Sequence, residues 1–190
     1  AFTCAANLVG VDRLIHWCIK KPDVALQVLE VAEKAAVAAA NFAFENKVDY
    51  YVFAEPSSAP ALLGPKLYEK FVLPLERKII GQIAGPVVLH VCGDTDLIVD
   101  QMCETGAAGI SIEEKTDLRR AVGIAHAREV KVFGNVGSAA LGSTPDRVYR
   151  EAISALENGT DFLCPGCGIA PRTPVENILQ LKKARDDFGR

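Results

Sequence analysis

Apolar positions recur along the chain in two alternating rhythms. Over residues 22–46, Val24, Val28, Val31, Ala35 and Phe42 fall at helical spacing and Pro22 suits a first helical turn, which predicts a long helix packed on that stripe. A shorter helix is expected over 8–20. Residues 48–55 (VDYYVFAE) then turn β-branched and aromatic and stop at Pro56, which predicts a strand. The turn at Ser57 and Ser58 leads past Gly64 and Pro65 to a helix ending near residue 83. The same alternation continues with strands over 87–92, 109–113, 130–136 and 161–164. Between them fall helices over 96–104, over 118–128 and from Thr144-Pro145-Asp146, where a cap and a first-turn proline coincide. A Cys-Pro-Gly-Cys-Gly loop and Thr173-Pro174 precede the last helix.

Strand and helix alternating every 25–35 residues or so build βα units with parallel strands, an α/β class fold in one domain over residues 1–190. Five strands are compatible with a doubly wound sheet and with a (β/α) barrel of the TIM type. Phe2-Thr3-Cys4-Ala5 reads as the tail of a strand, and a closed barrel typically takes about 250 residues, so the expectation is the C-terminal part of an N-terminally truncated barrel. The composition, 49% hydrophobic and 24% charged over 190 residues, is that of a chain with a real core. A net charge of −3 offers no attraction to polyanions, which argues against nucleic acid or an anionic membrane as partner. No window approaches the roughly 18 apolar residues of a membrane span. Residues 1–10 lack a basic n-region, so no signal peptide is expected and a cytoplasmic location follows. In reducing surroundings the six cysteines read as buried small hydrophobes, ligands or nucleophiles rather than as disulfides.

The sharpest chemical feature is His90-Val91-Cys92. Alternation along a strand puts Val88, His90 and Cys92 on one face and Val87, Leu89 and Val91 on the other. The pair ends its strand, where parallel α/β folds carry their active sites. An imidazole and a thiol there are half of a tetrahedral zinc site, or else a satisfied core histidine beside a buried cysteine. Cys167, 75 residues beyond Cys92, emerges at the same rim and could complete a His/Cys/Cys shell with an open fourth position. Competing readings are a Cys164/Cys167 redox pair, a closed structural zinc using both thiols, and burial of Cys164 on its strand, the stronger reading for that residue. Against the redox pair, Gly168, Pro171 and Pro174 delay the helix that such a motif should open. Glu55, Asp94, Glu113 and Glu114 gather at the same rim as candidate fourth ligands, general bases or helix caps. Capping is the stronger reading for Asp94, whereas Glu55 has no helix to cap at once. Asn135 can bind a ligand or tie two loops. His16 and His126 read as structural, and Cys4, Cys18 and Cys103 as packed.

Through Phe2-Thr3, Asn7-Leu8-Val9-Gly10, Phe71-Val72-Leu73-Pro74, Leu89 to Thr95, Gly134-Asn135-Val136-Gly137 and Pro165-Gly166-Cys167-Gly168-Ile169, the chain resembles the uroporphyrinogen decarboxylase superfamily. Within it, the chain is most similar to the methylcobamide:coenzyme M methyltransferases. The decarboxylases share the frame but tend to lack the His-x-Cys pair. The resemblance implies a (β/α) barrel and a zinc ion (Zn2+) held by His90, Cys92 and Cys167. It also implies transfer of a methyl group, in methanogenesis, from a methylated corrinoid protein to the thiol of coenzyme M. The corrinoid would ride on that partner, and self-association into a homo-oligomer is left open. Tentative catalytic roles fall to Glu55, Asp94 and Glu113, and a cofactor-binding role to Asn135. Arg172 is a candidate for an anionic substrate group or a plain surface charge. The chemistry suits the residues, because zinc with a free position binds and deprotonates a thiol. In two respects the chain departs from the family: members begin far upstream of Ala1, and Cys164 stands where a small residue is expected and could close the site. Alternative functions are a decarboxylase-like lyase and a non-catalytic zinc-binding fragment.

Overall fold

Five short strands form one wholly parallel sheet in the computed structural model, which describes residues 1–189. They are β1 (Tyr51–Ala54), β2 (Val87–His90), β3 (Gly109–Ser111), β4 (Lys131–Val136) and β5 (Phe162–Pro165), each hydrogen-bonded to the next in sequence. A doubly wound sheet reverses its strand order at a switch point, and this one never does. The sheet is also curled. Three interstrand spacings of about 4.8 Å would hold β2 and β5 some 14 Å apart if flat, yet the Cys92 and Cys167 sulfurs just beyond their ends lie 3.8 Å apart. Unreversed order and inward curl make this five consecutive strands of a TIM-type (β/α) barrel wall.

The main core lies between the outer face of that wall and the helices. Phe53, Val87, Leu89, Val91, Ile110, Ile112 and Val132 point outward into it, whereas Val88, on the opposite parity, does not join it. Seven helices matter here: α1 (Phe2–Val9), α2 (Val11–Lys20), α3 (Pro22–Glu45), α4 (Leu73–Ile80), α5 (Val99–Cys103), α6 (Leu118–His126) and then, past a short α7 (Ser138–Leu141), α8 (Pro145–Glu157). The chain closes with α9 (Val175–Phe188). Thr144 caps α8, its hydroxyl accepting from the Arg147 N–H at 3.4 Å, and Pro145 fills the first turn as its sequence predicts. Among the described residues no helix is long and apolar enough to cross a membrane.

Three expectations are corrected and a fourth is refined. Phe2-Thr3-Cys4-Ala5 belongs to helix α1 and not to a strand, and the helix expected over 8–20 is two helices interrupted at Gly10. The helix expected after Gly64 and Pro65 is present, helical without a gap from Pro65 to Ile80, but its Tyr68–Val72 turn is π-helical and it stops short of residue 83. On α3 the packed face is Ala25, Leu29, Ala32 and Ala40, while Val24, Val31 and Phe42 stand exposed. Close helix contacts select small side chains, so the larger apolar stripe was a poor guide to the buried face.

A candidate metal centre at the barrel rim

β2 is buried on both faces, and its last inward residue is His90, 8% exposed. The imidazole Nδ1 lies 3.1 Å from the backbone oxygen of Ser111 and 3.1 Å from its Oγ, because the β2–β3 register sets His90 beside Ser111. A carbonyl only accepts, so Nδ1 carries the proton and the Nε2 lone pair is left facing Cys92 Sγ at 3.4 Å. Cys167, on the loop after β5, brings its sulfur to 3.8 Å from that of Cys92. Glu113, just past β3 on the parity of Ser111, completes a group of four whose donor atoms all lie within 4.8 Å of one another. Beside it opens a cavity of about 380 Å³ walled by Val52, Ala54, Pro56 and Pro165.

These donors are ill-matched to one another and well matched to a cation. Burial, the hydrogen bond with Cys167, and the Cys167 and Glu113 charges together push the Cys92 thiol up to about 12. Two sulfurs and a carboxylate crowded together are costly as anions unless a positive charge sits among them. Two soft thiolates, a neutral imidazole and one carboxylate are the ligand types zinc accepts, so the residues fit that ion.

Several rim residues do other things. Cys164 stays out of the group, and burial raises its thiol to about 11, so no third thiolate closes the cluster. Glu55, a candidate catalyst, is fully buried on the opposite side of β1. Its carboxylate accepts from the Ala1 nitrogen, from the Phe2 N–H at 3.0 Å and from the Thr3 N–H at 2.7 Å, which makes it the cap of α1. Parity explains this placement: Val52 and Ala54 face the cavity, so Phe53 and Glu55 face the helices. Asp94 is exposed, and its Oδ1 accepts from the Asp96 N–H at 3.0 Å in a local turn; it does not cap α5 as expected, because that helix begins only at Val99 and has no side-chain cap. Asn135 does not reach the cavity either. Its amide donates to the Glu113 carbonyl at 3.3 Å and it lines a separate hollow with Glu151 and Ser154 of α8, because Gly134, at φ +141, interrupts the alternation of β4. It ties the ends of β3 and β4. His126 pairs with Asp161 at 2.8 Å, His16 and Arg172 are exposed, and Cys18 and Cys103 are buried in the core. Ser111 is the functional contact that sequence reasoning passed over. A small polar residue at an inward position of GISIE was its only signal.

The chain matches the model of the uroporphyrinogen decarboxylase (URO-D) family over residues 1–188. It belongs to that family. It is 35% identical over 192 residues to methylcobamide:CoM methyltransferase MtaA of Methanosarcina barkeri, covering 98% of this chain and 56% of the relative. A uroporphyrinogen decarboxylase of Coxiella burnetii is more distant, 26% identical with 90% and 49% covered. Among solved structures, a methyltransferase from Methanosarcina mazei superposes with a TM-score of 0.94 at 36% identity, covering 98% of this chain and 56% of that one. The chain thus spans about half the length of the curated relatives it matches.

Proposed function

We propose that the chain is the zinc-binding part of a methyltransferase that moves a methyl group from a methylated corrinoid protein to the thiol of coenzyme M. The supporting observation is the convergence of His90, Cys92, Cys167 and Glu113 on one point from three separate strand ends. Identity to a methylcobamide:CoM methyltransferase, higher than to a uroporphyrinogen decarboxylase, favours this reading over a lyase.

His90, Cys92 and Cys167 are the permanent ligands in this proposal. Cys92 and Cys167 release their protons as they bind, and His90 offers Nε2 because Nδ1–H is engaged by Ser111. Zinc, when bound, keeps an acceptor thiol in its thiolate form at neutral pH. Glu113 would be the hardest donor of the four and the one most readily given up to an incoming sulfur. Its carboxylate would then be placed to take the thiol's proton. The apolar walls at Val52, Ala54 and Pro56 keep water from that sulfur. An electron pair on sulfur forms the new S–CH3 bond, and the pair of the broken methyl–cobalt bond stays with the partner's corrinoid. Asp94, exposed at the rim, and Asn135, behind it, take no direct part.

X-ray absorption at the zinc edge tests the reading. Two sulfurs and two lighter donors are expected without acceptor, and three sulfurs with saturating coenzyme M. A count that stays at two with coenzyme M refutes thiol activation, and three sulfurs already present in its absence would point to a closed structural site containing Cys164.

A further inference from the structure

We infer that the Ser111 hydroxyl is a positioning group for His90, sharing its Nδ1–H with the Ser111 carbonyl and thereby aiming Nε2 at the metal position. The inference rests on the zinc reading above and adds a residue to it. Two oxygens of one residue, each 3.1 Å from the same ring nitrogen, hold one N–H from two directions. That fixes the tautomer and the tilt of the ring together. Nothing else on the inward face can do so. Across β1 the register partner of His90 is Ala54, whose methyl offers no hydrogen bond; Val52, Pro56, Pro165 and Gly168 on the cavity wall offer no side-chain hydrogen bond either, and Cys92 faces Nε2 rather than Nδ1. Among the described residues, Ser111 supplies both acceptors that Nδ1–H donates to.

The sense of the hydroxyl bond follows from the carbonyl. Were Nδ1 unprotonated, the hydroxyl could donate to it, but the carbonyl oxygen would then face a lone pair at 3.1 Å. With the proton on Nδ1 both oxygens are satisfied as acceptors, and the lone pair stays on Nε2, where a metal would bind. Removing the hydroxyl leaves the carbonyl, so the tautomer survives while the ring gains freedom to tilt. Loss of such an orienting partner typically costs 10–100-fold in metal affinity, and the remaining carbonyl puts this case near the lower end, about 10-fold.

The test uses the intact chain with Ser111→Ala and Ser111→Thr. Zinc affinity is measured by competition with a chromogenic chelator, unfolding is measured without metal, and long-range 1H–15N NMR of the metal-free wild type reports which His90 nitrogen carries the proton. Expected are an Nδ1–H tautomer, about 10-fold weaker zinc binding in Ser111→Ala, recovery to within about threefold in Ser111→Thr, and metal-free unfolding near that of wild type. An Nε2–H tautomer overturns the inference, and so does Ser111→Ala binding zinc within about twofold of wild type. Wild type that binds no zinc would refute the functional reading instead, while the tautomer measurement still decides the orientation of His90.

Discussion

Removing one sulfur from the cluster should abolish the stabilisation that zinc confers. The donors come from the ends of β2 and β3 and from the loop after β5, and Cys92 and Cys167 are 75 residues apart in sequence. An unfolded chain cannot assemble them, so zinc binds the folded state selectively. At a free zinc concentration about 100 times the dissociation constant, selective binding stabilises by about 2.7 kcal/mol. In a chain of 150–250 residues each kcal/mol moves the midpoint by about 2–4 °C, so wild type should gain about 5–11 °C. Residual affinity of the unfolded His90-Val91-Cys92 segment would trim that figure. Cys167→Ala should gain less than about 2 °C under the same conditions, because it loses a ligand that no neighbour replaces. Cys164→Ala should keep the full gain, since Cys164 lies outside the group. Thermal unfolding followed by circular dichroism, with each variant compared with itself with and without zinc, removes any difference in intrinsic stability. A full gain in Cys167→Ala, or none in Cys164→Ala, would show that the three-strand convergence is not the metal site.

Three further outcomes follow from particular contacts. Glu76 is buried with one carboxylate oxygen unpartnered and the other accepting from the Tyr68 hydroxyl at 2.6 Å, and burial lifts it to about 8. The folded state therefore keeps a proton that the unfolded state loses near pH 4.5, and stability falls as pH rises from 4.5 to 8. Glu76→Gln should flatten that slope and stabilise by about 3 kcal/mol at pH 7, measured by urea unfolding across the range; an unchanged slope would contradict the buried proton. Glu55→Gln turns one acceptor oxygen of a buried cap into a donor facing backbone N–H groups, and should cost about 2–4 kcal/mol in urea unfolding while leaving zinc affinity intact. Loss of zinc affinity with unchanged stability would put Glu55 back in the site. A Cβ on Gly166 would sit 3.1 Å from the Glu113 Cα, so Gly166→Ala should push that carboxylate aside and weaken zinc binding roughly 10-fold in chelator competition; an affinity equal to wild type would show the loop gives way instead.

Much of the site was legible from alternation alone. Period-two parity placed His90 and Cys92 together, and β2 keeps that face inward while Val87, Leu89 and Val91 enter the core. The same parity, carried to the neighbouring strands, separates Glu113 from Glu55: residues 111 and 113 face in, as do 52 and 54, and Glu55 falls on the other side. Asn135 was illegible because Gly134 breaks the alternation one residue earlier. The buried face of α3 was illegible for a different reason. Hydrophobic size marks a stripe, but tight packing chose alanines, and no local pattern says which neighbour a helix will meet. The Phe2-Thr3-Cys4-Ala5 segment misled because its content is neutral between strand and helix, and what decides it is the Glu55 carboxylate waiting at the helix end from a residue far along the chain.

The spacing of the donors across the sheet would make metal binding and wall curvature a single equilibrium. His90 and Cys92 issue from β2, Glu113 from β3 and Cys167 from beyond β5, so their approach to within 4.8 Å exists only while the strands between them stay curled. The Asn135 amide on the Glu113 carbonyl and the close contact of Gly166 with the Glu113 backbone hold the ends of β3, β4 and β5 in that curl from behind. A cation gripping the four donors would hold it from the front. By linkage, a change at the back that favours a flatter wall must lower metal affinity by the same free energy with which bound metal resists flattening. Residues that never touch the ion therefore belong to its affinity, and Asn135, although turned away from the cavity, is placed to contribute to it.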